Sequence, residues 1–302
     1  ILVAGEALVD LILSADGSVA ASLGGAPYNV ARACGRLGAD VQFVGALSRD
    51  RFGTMLRARL IADGVDTSLA SPVDVPTTLA VAELDAHGVA QYGFYVDGTS
   101  APELAEVVVP DEAAAIFAGG LGLVFEPMAT SIEAMIVNRP IGVLAMVDLN
   151  CRPSVIRERG SYVRRLSRVV EHADIVKASD EDLAYLIPGC RPTDAARELL
   201  DLGASVVLLT AGGDSVHVVT SAIDIVVPIA PVEVDDKIGA GDAFSAGFLT
   251  WWMSGGRSAD DLGSRSGLER AVRAANAVAG LTCTRRGADP PRRSELPAGW
   301  GT

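Results

Sequence analysis

Short, uninterrupted apolar runs alternate along the chain with longer stretches of helical periodicity. Ile1-Leu2-Val3-Ala4-Gly5 reads as a first buried strand, Asn29 to Leu37 as a helix ended near Gly38, Val41 to Gly45 as the next strand and Phe52 to Asp63 as another helix. Further buried strands are expected at Leu121 to Phe125, Val143 to Asp148, Ile175 to Lys177 and Val206 to Thr210. Helical segments at Ile132 to Val137, Val163 to Glu171 and Thr193 to Leu202 separate them. The repeated β-then-α order predicts an α/β fold with a mostly parallel central sheet and helices on both faces. Ligands in such folds sit beyond the carboxyl ends of the strands.

One segment breaks the alternation. Thr77 to Asp85 and Val89 to Val96 read as two strands joined by a tight turn at Ala86-His87-Gly88. With Val9 to Leu13 and a strand near Ser18 to Ala21 they would form a small β-sheet lid, inserted as segments 9–22 and 76–98 of a single domain over residues 1–302. An edge extension of the main sheet, or a homodimer contact through the exposed strands, is a further use of the same surface.

Composition narrows the function classes. A chain of 302 residues with 49% apolar content supports a large core. Cysteines 34, 151, 190 and 283 are scattered, with no C-x-x-C pair or metal-ligand spacing, which predicts reduced thiols and a cytoplasmic setting. Ile1 to Leu13 is interrupted by Glu6 and Asp10, has no basic leader and is too short to span a bilayer, so neither a membrane segment nor a secretion signal is expected. The net charge of -13 argues against a nucleic-acid surface, and an anionic ligand must be held by local focusing.

The densest chemistry lies in Asp235-Asp236-Lys237-Ile238-Gly239-Ala240-Gly241-Asp242, which follows an extended run over Val226 to Val234 and opens an apolar helix over Ala243 to Trp252. Small residues let anionic oxygens approach the backbone. The first N–H groups of a helix lack intrahelical partners and lie at its positive end, so Gly239, Ala240, Gly241 and Asp242 form a cradle for phosphate. Asp242 there is suited to accept a hydroxyl proton as that hydroxyl attacks; taken alone, it is equally an N-cap. A second small-residue turn, Gly24-Gly25, precedes Asn29, whose amide both donates to and accepts from hydroxyl groups. Asp10 has matching acceptor chemistry. The convergence suits a polyhydroxylated substrate, although Gly24-Gly25 by itself is an ordinary turn and Asn29 an ordinary surface residue.

Together, Gly24-Gly25-Ala26-Pro27-Tyr28-Asn29-Val30-Ala31 and Asp236-Lys237-Ile238-Gly239-Ala240-Gly241-Asp242-Ala243-Phe244 resemble the two signatures of the ribokinase/PfkB family of sugar and nucleoside kinases. The resemblance runs through Phe43 to Gly53, Pro76 to Ala80, Asp148 to Pro153 and Thr284 to Ala288. Gly5 to Asp10, Phe94-Tyr95 and Gly98-Thr99 are most similar to the fructokinase-type branch. The resemblance implies a ribokinase-like fold and an ATP- and Mg2+-dependent enzyme. It makes Asp242 the catalytic base and the amides of Gly239, Ala240, Gly241 and Asp242 the anion hole. It assigns Asp10, Gly24, Gly25 and Asn29 to the sugar, with Glu126 as a further contact. Thr210, Gly212, Gly213 and Asn276 are implied for the nucleotide, and Lys177 and Arg152 are basic candidates for phosphate.

Two departures stand out. Where many relatives carry Asn-x-x-Glu near magnesium and phosphates, this chain has Ser179 and Asp182; these suit ordered water around Mg2+ and equally suit a helix cap. Lys237-Ile238 replaces the Thr residues common before Gly-Ala-Gly-Asp. Asp236 retains the monovalent-cation position implied by the resemblance, with carbonyls near Ile238, Thr282, Arg285 and Gly287, and Lys237 would alter a dependence on K+. The expected reaction is in-line transfer of the ATP γ-phosphoryl group to a sugar hydroxyl. Fructose is the leading substrate. Ribose, a 2-keto-3-deoxy sugar acid or a nucleoside are alternatives, and Val96 beside Tyr92, Phe94 and Tyr95 favours a neutral sugar. From another class, a non-catalytic sugar or nucleotide sensor would share these residues. A dinucleotide-dependent oxidoreductase is disfavoured because no G-x-G-x-x-G follows the first strand.

Overall fold

In the computed structural model, which describes residues 1–14, 16–84 and 90–301, the apolar runs assemble side by side. β1 (Leu2–Ala4) leads into β2 (Leu8–Leu13) and β3 (Val19–Gly24), then α1 (Ala26–Arg36), β4 (Gln42–Val44), β5 (Ala46–Ser48) and α2 (Arg51–Ala62). β6 (Ser71–Val73), β7 (Leu79–Leu84), β8 (Ala90–Tyr95), β9 (Ala115–Gly119) and α3 (Met128–Val137) follow. The remainder runs β10 (Leu144–Asp148), α4 (Arg159–Glu171), β11 (Ile175–Ser179), α5 (Asp180–Leu186), α6 (Pro192–Leu202), β12 (Val206–Ala211), β13 (Ser215–Val219), β14 (Asp224–Pro228), α7 (Ala240–Ser254) and α8 (Arg265–Cys283).

The main sheet has the order β14-β13-β12-β11-β10-β9-β1-β4. Strands β12 through β4 are parallel, and β13 and β14 extend the sheet as an antiparallel edge. Because side chains alternate across a strand, each run feeds two cores. Val3, Leu144 and Met146 join one layer with Tyr28, Phe248 and Trp252, whereas Leu2, Ala145 and Val147 join the other with Ile132, Leu166 and Leu199. This two-sided covering explains why the central strands are apolar except near their carboxyl ends, where Asp148 and Lys177 stand. From β1 the chain first adds β4 on one side and later β9 on the other. The crevice created by that reversal lies at the strands' carboxyl ends.

A separate four-stranded sheet has the order β3-β2-β7-β8, with β2 and β7 parallel and both outer pairs antiparallel. Its inner face contributes Leu8, Ala80 and Phe94 to a small cluster with Leu121, Phe125 and Val155. The turn expected at Ala86-His87-Gly88 lies outside the described residues, as does the Tyr92 side chain.

Several boundaries differ from the sequence expectation. The strand expected at Leu121 to Phe125 forms instead at Ala115–Gly119, and residues 120–123 turn in a 3-10 helix. A Cβ on Gly119 would lie 2.2 Å from the Asp148 carbonyl oxygen, and Gly120 has φ 60°, so the chain bends off the sheet there and the apolar run packs over its end. Helix α1 begins at Ala26 rather than Asn29, because Pro27 is tolerated in a first turn where its missing N–H has no intrahelical partner. Helix α7 likewise begins at Ala240, and the extended run after Val226 is a strand only as far as Pro228.

Candidate active site

Helix α7 starts on Gly239, whose φ of 76° is left-handed and which has no side chain to cap the helix. The Ala240 amide turns to the Lys237 carbonyl at 3.2 Å, and the Ala243 amide to Gly239 at 2.8 Å. The amides of Gly241 and Asp242 have no protein acceptor among the described residues. They form the open, positive end of a 15-residue helix. The cradle read from Gly239 to Asp242 is therefore narrower in its free donors, since Ala240 is spent within the turn.

The Asp242 carboxylate accepts from Asn29 Nδ2 at 2.9 Å, a bond that joins α7 to the first turn of α1 across most of the sequence. Burial is the main force raising the Asp242 pKa, to about 6. The Asn29 bond opposes that rise, Asp148 adds to it, and Lys177 and Arg152 lower it. Asn29 is 8% exposed, and its Oδ1 is buried without a partner. That acceptor is set for a donor from a bound molecule, because an orphaned buried carbonyl is otherwise costly. Asp10, on β2, lies against Gly24 just before the same helix. Its pKa is raised to about 6 by burial, and its Oδ2 would stand 2.1 Å from a Cβ on Gly24. Gly25, with φ 111°, has no room for a side chain either, since a Cβ would meet the Glu6 carbonyl at 2.6 Å. Asp10, Gly24, Gly25, Asn29 and Asp242 are thus brought to one place.

On the other side of Asp242, Lys177 Nζ donates to Asp148 Oδ2 at 2.7 Å. The two residues are register partners on the parallel strands β11 and β10, which puts their side chains on one face. Lys177 Nζ would lie 3.4 Å from a Cβ on Gly241, so the ammonium stands at the open end of α7. Ser245 joins them by donating to Asp148 Oδ2 at 3.4 Å, while Asp148 Oδ1 is buried without a partner. Arg152 is exposed and bonds only the Cys151 carbonyl, yet its charge is felt at both Asp242 and Asp148.

The acidic run that opens α5 is used structurally. Ser179 and Asp182 form a reciprocal capping box, and Asp182 Oδ1 also accepts the Cys151 amide at 2.6 Å. Both Asp182 oxygens are turned into the protein. Thr210, one residue before the end of β12, donates its hydroxyl to the Ala178 carbonyl, and Gly212 and Gly213 form the exposed turn into β13. Asn276 on α8 has a buried Nδ2 without a partner. Asp236 stitches two loops, accepting from Ile238 N at 3.0 Å and Gly287 N at 2.8 Å. The Thr282 carbonyl receives the Arg285 amide and the Gly287 carbonyl the Asp289 amide, while the Arg285 guanidinium pairs with Glu295 and Asp289. The Glu126 carboxylate is occupied by Thr130 and Arg165 on the flank of α3.

Two acids escape a sequence search for motifs. Glu6 follows β1, is 2% exposed, and supplies from a distance the cap that Gly25 lacks, its Oε1 accepting the Ala26 amide at 3.1 Å. Its Oε2 has no partner, and burial pushes its pKa up to about 8. Asp148 likewise has a pKa raised by burial, against the pull of Lys177. Both signals were present as lone charges ending apolar runs. A groove of about 470 Å³ lies beside this region, lined by Phe94, Val96, Phe125, Val155 and Arg157. A larger hollow of about 720 Å³, lined by Ser205, Thr220 and Leu262, lies at the amino end of β12 and contains none of the predicted residues.

Among the described residues, no helix is long and apolar enough to cross a membrane. All four cysteines are free thiols. No set of three or more His, Cys, Asp or Glu side chains among the described residues is arranged to hold a metal ion.

The chain is similar to a fructokinase of Rhizobium leguminosarum bv. trifolii, at 34% identity over 257 residues, covering 82% of this chain and 78% of that protein. Its fold is similar to the fructokinase of Xylella fastidiosa solved with bound ATP, with a TM-score of 0.89, 29% identity and coverage of 98% and 94%. It is also similar to the Vibrio cholerae O395 fructokinase solved with fructose, ADP and calcium, with a TM-score of 0.85, 27% identity and coverage of 95% and 93%. The pfkB family carbohydrate kinase model matches residues 1–295, which span both glycine turns and the helix end that faces Asn29. Two glycine turns from opposite ends of the chain thus meet at one carboxylate, and the chain belongs to the pfkB family of carbohydrate kinases.

Proposed function

We propose that this kinase is a fructokinase that transfers the γ-phosphoryl group of ATP to a hydroxyl of fructose. The observation that carries the reading is the bond from Asn29 to Asp242, with Asn29 Oδ1 left without a partner and Asp10 against Gly24 just before the same helix. A sugar hydroxyl bound there donates to Asn29 or Asp10, and a neighbouring hydroxyl gives its proton to Asp242 as its oxygen attacks. Lys177 and the Gly241 and Asp242 amides stabilise the charge of the transferred group, the term on which phosphoryl transfer mainly depends. Thr210, Gly212, Gly213 and Asn276 are assigned to the nucleotide, with the orphaned Asn276 Nδ2 as the donor that needs an acceptor. The similarity to fructokinases, and a groove whose lid side is aromatic rather than basic, support a neutral ketohexose.

Mg2+ fits the donor set, since the unpartnered Asp148 Oδ1 offers one hard oxygen and the ion otherwise draws on phosphate and water. When bound it neutralises charge on the β- and γ-phosphates. Asp182 is spent on its cap and is not assigned to the ion. K+ is assigned to Asp236, whose two oxygens accept the Ile238 and Gly287 amides and keep further lone pairs for an ion. The four-stranded sheet is read as a lid over the sugar and as the surface of a homodimer, and the free thiols suit a cytoplasmic enzyme.

Coupled assays of ADP release over fructose, ribose, 2-keto-3-deoxygluconate and a nucleoside test the substrate. Fructose is expected to give the highest kcat/KM. Asp242→Asn is expected to bind ATP and fold as the wild type while losing at least roughly 100-fold in kcat. Near-normal turnover in that variant would remove Asp242 as the base, and binding without turnover of every acceptor would identify a sensor.

A further inference from the structure

Helix α1 touches the phosphate cradle at a second point, one turn beyond Asn29. Arg32 is 4% exposed and donates through Nε to Asp63 Oδ2 at 2.8 Å and through Nη1 to the Ala288 carbonyl at 3.1 Å. Ala288 in turn backs the first residue of the cradle. A Cβ on Gly239 would stand 2.6 Å from the Ala288 Cβ and 2.9 Å from its Cα, so the two residues are in contact through the missing side chain. The loop carrying Ala288 is pinned at three successive positions, by Asp236 at Gly287, by Arg32 at Ala288 and by Arg36 at Asp289. Asp63, 3% exposed, also has Arg36, Arg59 and Arg292 within 4.0 Å, which fixes the acid that orients Arg32.

We propose that Arg32 is a positioning residue for phosphoryl transfer: it holds Ala288 against Gly239 and so sets where the Gly241 and Asp242 amides point. The same helix then locates the base, through Asn29, and the back wall of the anion hole, through Arg32. A planar guanidinium suits this task because it serves a carboxylate and a carbonyl at once in fixed directions, which a lysine ammonium does not reproduce. Neither partner of Arg32 belongs to the sugar side. Its loss therefore acts on the reacting phosphate and not on acceptor affinity.

The inference rests on the kinase reading, so wild-type turnover of sugar is established first; its absence would overturn that reading and not this one. Arg32→Met, Arg32→Lys and Ala288→Gly are then compared with wild type for kcat, sugar KM and hydrogen–deuterium exchange over residues 239–243. Arg32→Met is expected to lose roughly 10- to 100-fold in kcat, the scale of a small misplacement of reacting groups, with sugar KM changed by less than about threefold. Exchange at the start of α7 is expected to rise several-fold. Arg32→Lys should fall between Met and wild type, and Ala288→Gly, which disturbs no ion pair, should show the same pattern more weakly. Ala288→Gly also decides the matter if Arg32→Met does not fold. Unchanged kcat in both Arg32→Lys and Ala288→Gly would overturn the proposal. So would a rise in sugar KM that accounts for the whole loss, or unchanged exchange at residues 239–243.

Discussion

Asp242 must be a carboxylate to take a proton, yet protein surrounds it on the side of Asn29, Asp148 and Lys177. Burial raises its pKa to about 6, and the Asn29 hydrogen bond, with the charges of Lys177 and Arg152, keeps the rise from going further. Only the ionised form accepts a proton, so kcat is expected to fall as pH drops through about 6, by about tenfold per pH unit below it. Measuring kcat at saturating sugar isolates Asp242 from Asp10, whose carboxyl is raised to the same region and is proposed to act on acceptor binding. Lys177→Met removes a positive charge that lowers the Asp242 pKa, so the acid limb should move to higher pH and the pH-independent kcat should fall. An acid limb that stays in place in Lys177→Met would separate Lys177 electrostatically from the base.

At the scale of elements, the site is made of starting points of helices that lack ordinary caps. Helix α1 begins on Gly25 and borrows its cap from Glu6, while α7 begins on Gly239 and leaves its end open for a ligand. Helix α5 shows the alternative, in which Ser179 and Asp182 close the end within the chain. The difference is the physical reason to assign phosphate to α7 and not to α5. Gly239→Ala tests the open end. A left-handed residue with a Cβ costs roughly 1–2 kcal/mol, and the new methyl would meet Ala288 at 2.6 Å. The variant is expected to unfold at lower denaturant and to lose more in kcat than in sugar KM. A kcat within twofold of wild type would mean that the cradle tolerates displacement.

For the whole molecule, the buried acid behind the site is a stability liability that pH reveals. Glu6 has a folded pKa of about 8 against an ordinary 4.5, so between those values the folded state binds the extra proton. Its contribution is therefore most favourable at low pH and is lost as pH rises from 4.5 through about 8, by on the order of 5 kcal/mol across the window. Glu6→Gln keeps an acceptor for the Ala26 amide without the charge, so it should be more stable than wild type at pH 8 to 9 and close to it near pH 5, as read by denaturant unfolding. A gap that widens toward low pH would contradict the sign. The α/β class, the parallel sheet, the extra hairpin, the Gly24-Gly25 and Gly239-Ala240-Gly241-Asp242 turns and the family were all legible along the chain, because period, glycine and local charge are local properties. Local pattern placed a strand at Leu121 to Phe125 instead of Ala115–Gly119, since both runs are apolar and only the close approach of Gly119 to β10 chooses between them. The resemblance implied Glu126 and Asp182 for ligands; in the fold Glu126 accepts from Thr130 and Arg165, and Asp182 from Ser179 and the Cys151 amide. The sequence by itself determined which residue types are suited to meet phosphate and hydroxyl groups. Tertiary structure alone decided which of them are free to do so, because a hydrogen bond satisfied by a distant part of the chain leaves no mark on the local pattern.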